Sequence, residues 1–232
     1  MNMKKTQPAN TTICKKHGTP VVALNNSMLP GFTYCPTCND ENEKKEALRI
    51  EKEKLETEEK RRNWCIPKIF QSARLDNFSD IDPVLEWVND PRGFLFVHGV
   101  CGCGKSHLAS AIQYKHNCEK KECRLAFSSD LFLKIRSSFG SNAEHTEREL
   151  IEGYSSGLRI FDDIGAQKIS DYVIEAWYNI IDKRYMDEVP TMFTSNLSLK
   201  EISLCMTDRI ASRIASGKIF ELKGKDRRLM RS

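Results

Sequence analysis

Residues Phe94–Ile112 read FLFVHGVCGCGKSHLASAI, and the reading of this stretch decides the fold. A short apolar run, Phe94–His98, precedes Gly99-Val100-Cys101-Gly102-Cys103-Gly104-Lys105-Ser106, which fits G-x-x-x-x-G-K-S; a helical pattern then continues through KSHLASAIQY. Strand, glycine loop and helix in this order make a phosphate cradle. Backbone N–H groups at a helix N-terminus hold the anion, glycines let the chain curve and approach, Lys105 reaches the outer phosphates and Ser106 ligates Mg²⁺. The competing reading is a metal or redox site at Cys101 and Cys103. The x positions of such a loop offer main-chain donors while their side chains can point away, so both cysteines are expected to be tolerated small residues. The expectation is nucleotide held by Gly99, Val100, Cys101, Gly102, Cys103, Gly104, Lys105, Ser106 and His107.

A magnesium site needs an acidic strand as well. GLRIFDDIG supplies one, an apolar run ending in Asp162 and Asp163, where ligands sit in open α/β sheets. Asp162 is expected to hold Mg²⁺ and Asp163 to polarise an attacking water. PTMFTSNLS ends a further apolar strand with Asn196, an uncharged side chain able to orient that water. DRIASRIASG places Arg209 and Arg213 one helical turn apart, and GKDRR contributes Arg227 and Arg228. Planar, permanently charged guanidinium groups suit charge developing on a transferring phosphoryl group.

The 232 residues suffice for one full-sized α/β domain and a small appendage. Strands expected at Phe94–His98, Leu125–Ser129, Gly157–Ile164, Thr191–Asn196 and Lys218–Lys223 alternate with helices starting near Lys105, Asp130, Asp171 and Lys200. That alternation implies a mostly parallel sheet covered on both faces. Residues 64–232 are therefore read as the ATPase domain, an α/β P-loop unit with a central parallel sheet.

Two further regions precede it. Residues 39–63, NDENEKKEALRIEKEKLETEEKRRN, carry Leu48 and Leu55 one heptad apart but too few other apolar positions for a coiled-coil seam, and read as a solvated, charged helical linker. Residues 1–38 are polar and turn-rich, with Cys14-x-x-His17 and Cys35-x-x-Cys38 separated by 17 residues. Two such pairs brought together make a closed tetrahedral Zn²⁺ site, which can fold a segment too small for its own core. A closed site leaves no open position for catalysis, so its expected role is recognition. Cys65, Cys118, Cys123 and Cys205 lack comparable spacing; His116 near Cys118 and Cys123 only imitates a site.

A charged fraction of 29% with no apolar run of 18 residues speaks against a membrane protein, and MNMKKTQPANTT has no apolar stretch behind its basic start. A cytoplasmic location with reduced thiols follows as the expectation; nine cysteines, an odd number, fit it better than a disulfide framework. The net charge of +4 permits a polyanionic partner without requiring one.

From Trp64 to Arg228 the chain resembles the helicase-loader ATPases of the DnaC/DnaI type and their transposition-helper relatives of the IstB type, within the AAA+ class. The resemblance is carried by IPKIF, ARLDNF, GVCGCGKSHLASAI, FDDIGAQK, IIDKRY, PTMFTSNLS, DRIASRIASG and GKDRR in that order. It implies that Asn196 is the sensor-1 residue and that Arg213, with Arg209 as second choice, is an arginine finger acting on a neighbouring subunit's nucleotide. It further implies that Arg228 is the sensor-2 arginine and that IPKIF borders the adenine. Most AAA+ members carry glutamate where this chain has Asp163. Loaders of this kind grip single-stranded DNA inside a spiral of ATPase subunits. SSDLFLKIRSSFG is the matching element here, with Lys134 and Arg136 as backbone contacts and Phe132 or Phe139 as stacking candidates, although Phe132 and Leu133 also fit core positions at helical spacing.

The resemblance implies an ATP-dependent loader that docks a hexameric DnaB-type helicase through its zinc module and places it on single-stranded DNA as a homo-oligomer. The alternative is a transposition helper that binds duplex DNA and a transposase. A small-molecule kinase would need an acceptor site and a lid, for which the sequence offers no candidate; a zinc-bearing adaptor with a silent ATPase would show no turnover.

Overall fold

Period-two alternation along each buried strand sorts the apolar side chains into two layers. In β3 (Phe94–His98), Phe94 and Phe96 join one hydrophobic cluster while Leu95 and Val97 join another. The same division separates Phe161 from Ile160 in β5 (Leu158–Asp162) and Phe193 from Met192 in β6 (Thr191–Ser195). A sheet buried on both faces must have cover on both, and that dictates the three-layer architecture.

The computed structural model describes residues 13–23, 33–138, 145–166, 169–224 and 226. The chain divides into two compact units, Met1–Glu59 and Lys60–Ser232. In the first, β1 (Val22–Ala23) pairs antiparallel with β2 (Thr33–Tyr34), and α1 (Pro36–Arg62) follows. No residue of α1 is buried; ion pairs such as Arg49–Glu46 at 2.7 Å and Arg49–Glu53 at 3.9 Å lie along its surface. The helix starts three residues ahead of the expected linker, so Cys38 occupies its first turn.

In the second unit two 3-10 turns, Lys68–Phe70 and Leu75–Asn77, lead into α2 (Asp82–Asn89) and β3. Then follow α3 (Lys105–Cys118), β4 (Cys123–Phe127), α4 (Ser128–Ser137), α5 (Glu147–Tyr154), β5, α6 (Asp171–Met186), β6, α7 (Leu199–Cys205), α8 (Asp208–Ala215) and β7 (Lys218–Glu221). The sheet runs β4-β5-β6-β3-β7, and every neighbouring pair is parallel. An α/β fold with a five-stranded parallel sheet is what the alternation implied. The strand expected at Leu125–Ser129 begins two residues earlier, and Ser128 opens α4 instead, its hydroxyl donating to the Asp162 carbonyl at 2.8 Å.

One face of the sheet carries α4, α6, α7 and α8 over an aromatic layer. Phe161 stacks on Phe193 with ring centroids 5.6 Å apart, and Trp177 of α6 meets the edge of Phe161 at 5.3 Å. Arg184, fully buried at the far end of α6, is stabilised by acceptors rather than by an acid. Its guanidinium donates to the carbonyls of Tyr154, Gly157 and Pro190 at 2.6–2.9 Å and to Thr191 Oγ1 at 2.7 Å. Burial pulls its pKa down to about 9.

The other face carries α2 and α3. His116 of α3 is buried there, and neither ring nitrogen has a hydrogen-bond partner among the described residues. Burial pulls its pKa down to about 4 from 6.5. Above pH 6.5 both folded and unfolded chains hold a neutral imidazole; as the pH falls below that, the unfolded chain takes up a proton that the folded one refuses until about pH 4. Stability from this group is therefore present at neutral pH and lost on acidification. Urea unfolding at pH 5 should show about 2 kcal/mol less stability than at pH 7.5 from His116. His116→Leu is expected to remove that part of the difference.

Candidate functional site

The carboxyl ends of β3, β5 and β6 lie side by side, because β6 sits between the other two. The loops leaving them therefore meet at one edge of the sheet. Gly99–Gly104 follows β3, Asp163 follows β5 and Asn196 follows β6. Cys101, Gly102, Gly104, Asp163 and Asn196 from these loops line a cleft of about 660 Å³ with Ile69, Phe70, Lys105, Ser106, His107 and Thr194.

The loop's glycines meet specific backbone demands. Gly104 holds φ at +112°, a region closed to ordinary L residues, and delivers the chain into α3. A Cβ on Gly99 would collide with the Leu222 carbonyl, where the chain leaves β7 beside β3. The Asp226 carboxylate stands against Gly102, so the loop already faces an anionic group. Cys103 is buried in the core with Leu108 and Ala109, whereas Cys101 is exposed. Neither belongs to a metal-ligand cluster among the described residues.

A chain of hydrogen bonds links the three loops. Lys105, itself 7% exposed, donates from Nζ to the carbonyls of Gly99 at 2.8 Å and Val100 at 2.9 Å and to Asn196 Oδ1 at 2.7 Å. Asn196 Nδ2 then donates to Asp163 Oδ1 at 2.8 Å. Asp163 holds φ at +63°, the left-handed region that aspartate tolerates better than most residues. Its amide donates to Thr194 Oγ1 at 2.9 Å, and the Thr194 hydroxyl donates in turn to Asp162 Oδ1 at 2.5 Å. Burial pushes the Asp162 carboxyl above the usual carboxylate range, opposed by its hydrogen bonds with Ser106 and Thr194. When ionised, a buried carboxylate beside a serine hydroxyl offers the hard oxygen donors that Mg²⁺ takes. Ser106 and Asp162 are thus placed to hold Mg²⁺, with Lys105 and the loop amides on the phosphate side.

Phe70 and His107 form the apolar flank, their rings meeting edge to face at 5.7 Å between centroids. Ile69 and Phe70 of the IPKIF segment line the same cleft as the phosphate loop. Thr194, which reaches both aspartates, is not singled out by any motif. Its position two residues before Asn196, on a strand buried throughout, is the signal that identifies it.

Other named residues lie elsewhere. Arg213 is half-buried on α8, where its Nε donates to Asp182 Oδ1 at 2.9 Å and its guanidinium lies 4.5 Å from the Tyr185 ring centre; it does not line the cleft. Arg209 is exposed on the same helix. Lys134 and Arg136 are exposed on α4. Phe132 is core, 3% exposed and edge-on to Trp177 at 5.6 Å, which removes it as a stacking platform, while Leu133, expected as core, is 63% exposed. Phe139, Arg227 and Arg228 lie outside the described residues. No helix among the described residues is long and apolar enough to cross a membrane.

In the first unit Cys14, His17, Cys35 and Cys38 converge, with one ligand atom from each within 4.8 Å of the others. Cys14 Sγ lies 3.7 Å from Cys38 Sγ, close to the roughly 3.8 Å edge that a zinc tetrahedron with bonds of about 2.3 Å requires. His17 Nδ1 faces the sulfurs, 3.2 Å from Cys38, and Nε2 meets Glu41 Oε1 at 3.0 Å. A carboxylate on the distal ring nitrogen is how metal-ligating histidines are oriented. Thr19 contributes a hydrogen bond at 3.0 Å to Cys35, whose thiol is pulled down to about 6. Burial and the neighbouring thiols push Cys38 up to about 11. These residues fit Zn²⁺. Glu41 carries no signal of its own in the sequence; it lies one turn beyond Cys38 on α1, a spacing that points to it once the helix is known to start at Pro36.

Comparison with known proteins agrees with this geometry. A family model described as IstB-like ATP binding protein matches residues 77–219. The replicative helicase loader DnaC of Buchnera aphidicola (subsp. Baizongia pistaciae) is 32% identical over 125 residues, 53% of this chain and 50% of that protein. DnaC of Escherichia coli K12 is 26% identical over 134 residues, 58% and 54% of the two chains. The chain thus spans about half the length of the curated relatives it matches. Among solved structures, DnaI superposes with a TM-score of 0.59 at 20% identity, covering 72% of this chain and 99% of that one. AMPPCP-bound DnaA from Aquifex aeolicus gives 0.59 at 19% identity, covering 69% and 51%. These structures share the α/β fold of this chain. The family match extends over more than half of the sequence and includes the phosphate loop, both aspartates and Asn196: the chain belongs to the family of IstB-like ATP binding proteins.

Proposed function

We propose that the chain is an ATP-hydrolysing loader that carries a hexameric DnaB-type helicase to single-stranded DNA. The observation that carries the enzymatic half is the hydrogen-bonded series Lys105–Asn196–Asp163 in the cleft that Ser106 also lines, with the buried Asp162 hydrogen-bonded to Ser106 behind it. Bound Mg²⁺ supplies charge neutralisation between the phosphates; Ser106 and Asp162 would hold it. Lys105 binds the outer phosphate oxygens, and Asn196 with Asp163 orients a water in line with the terminal phosphorus. As the water oxygen bonds to the terminal phosphorus, its proton passes to the Asp163 carboxylate, and the bond from that phosphorus to the bridging oxygen breaks, so that ADP leaves and inorganic phosphate is formed. The side chain is one methylene shorter than glutamate, and the left-handed backbone at Asp163 and its bond to Asn196 fix where the carboxylate points.

Arg213 would complete the site of a neighbouring copy, exchanging Asp182 for that copy's terminal phosphate, and Arg228 would act within its own subunit. Lys134 and Arg136, exposed on α4, would contact the DNA backbone. The zinc module would dock the helicase, its single closed site holding the fold of residues too few to build a core. Such a protein works in the cytoplasm.

Arg213→Ala is expected to keep nucleotide affinity but lower turnover by about 10³-fold. Mixing it with Lys105→Ala should restore part of the activity, since each copy supplies what the other lacks. Absence of any recovery argues against action in trans. The loader reading is tested by turnover with added single-stranded DNA and a DnaB-type helicase, which should both stimulate it. The IstB-like family model supports a second reading, a transposition helper. Stimulation by duplex DNA and a transposase, with none by the helicase, establishes that one instead.

A further inference from the structure

A second cleft, of about 720 Å³, opens at the edge of the sheet and shares no lining residue with the nucleotide cleft. Its floor is β4, the outermost strand, and all of Arg124–Phe127 line it. The 64–67 segment, α4 and α5 form its walls.

Arg159 is the feature that calls for a ligand. It is 6% exposed, donates from Nη2 to the Gly153 carbonyl at 2.7 Å, and lies 4.9 Å from the Tyr154 ring centre. Its Nε has no hydrogen-bond partner, and no carboxylate pairs with it among the described residues. Arg184 shows how this fold accommodates a buried guanidinium whose role is purely structural, surrounding it with carbonyls and a hydroxyl that satisfy it. Arg159 is left incomplete and faces the cleft. An unsatisfied buried guanidinium is costly unless a planar anion, accepting two parallel hydrogen bonds, completes it.

A second cation lines the same cleft. Arg124, exposed on β4, stands beside Arg159 in the register of the β4–β5 pair. Arg124 lies 5.6 Å from the ring centre of Trp64, which is 47% exposed. Between the cations, Ile66, Leu125 and Leu131 present apolar surface.

We propose that this cleft takes an extended acidic peptide segment of a partner protein, which adds as a strand to the free edge of β4 and sets a side-chain carboxylate on Arg159. Main-chain pairing with an edge strand gives affinity, while pockets for alternate side chains give specificity. The charges favour a peptide over a nucleic-acid strand. Asp130 and Glu149 also line the cleft, and they repel a polyanion carrying one charge per nucleotide but tolerate a chain bearing one carboxylate.

The test is selection of displayed random peptides on the intact protein, followed by fluorescence anisotropy with the synthetic consensus peptide. The enriched peptides should carry Asp or Glu at one fixed position with apolar or β-branched residues at alternate positions around it. Arg124→Glu, an exposed change, should weaken binding about tenfold or more. Bound peptide should slow amide hydrogen exchange in residues 124–127. Arg159→Met should abolish binding with its unfolding midpoint recorded alongside; Arg124→Glu keeps the test valid if that variant fails to fold. No enrichment, a consensus without an acid, indifference to Arg124→Glu, or unchanged exchange in β4 overturns the proposal. So does displacement of the peptide by oligothymidylate at lower concentration, which assigns the cleft to nucleic acid.

Discussion

Lys105→Ala is expected to abolish nucleotide binding, with a loss of affinity of about 100-fold or more. The ammonium group lies at the meeting point of the three loops, within 2.9 Å of two phosphate-loop carbonyls and the Asn196 amide oxygen. A charge-assisted contact to a phosphate contributes about 1.5–3 kcal/mol, and about 2.8 kcal/mol corresponds to 100-fold in affinity. The substitution also disconnects Asn196 from the loop, so turnover should fall further than binding. Fluorescent ATP anisotropy measures the first effect and phosphate release the second. Lys105 is nearly buried, and a thermal melt within a few degrees of the parent separates lost binding from lost folding. Retention of near-parental affinity would place the phosphates somewhere other than this cradle.

Removal of zinc should be equally drastic but confined to the first unit. The strands β1 and β2 are two residues each, and apart from Cys35 no described residue of the 13–59 segment appears among the buried apolar side chains. Among the described residues nothing of the size of a hydrophobic core holds Cys14, His17, Cys35 and Cys38 together, so zinc ligation is expected to supply folding free energy there, on the order of 10 kcal/mol for structural zinc. The purified protein should contain one zinc per chain. Chelation, or Cys35→Ser, should leave Lys15 and Lys16 open to trypsin while ATP binding by residues 60–232 persists. Glu41→Gln should weaken zinc retention by about tenfold through loss of its bond to His17. Metal-free protein with unchanged protease resistance would refute the assignment.

Both features are legible to different depths in the sequence. The strand at Phe94–His98 and the start of the helix at Lys105 coincide with the expected bounds, because the glycine loop marks where the apolar run ends and where the helix begins. The expected start of β4 at Leu125 falls two residues late, although Cys123, Arg124 and Leu125 already alternate buried, exposed and buried, and the pairing with β5 begins at Cys123. Helix α5 is absent from the expected elements although Thr146 and Glu149 form a capping box, a signal present in the letters. Local patterns name residues singly, whereas convergence depends on sheet order. That Thr194 serves Asp162 and Asp163 follows from β5 and β6 being neighbours, and that Arg213 rests on Asp182 follows from the packing of α8 on α6. The exposure of Leu133 and burial of Phe132 likewise reflect which face of α4 meets Trp177.

Isothermal titration with Mg-ATP, run on the parent protein and on Asp162→Asn, tests the convergence of Lys105, Ser106, Asp162 and Asn196 most directly. The account predicts one binding site per chain for the parent, whose affinity falls sharply when magnesium is withheld, and a variant in which that dependence on magnesium is lost. No heat of binding in the parent, or a magnesium dependence that survives in Asp162→Asn, would contradict it.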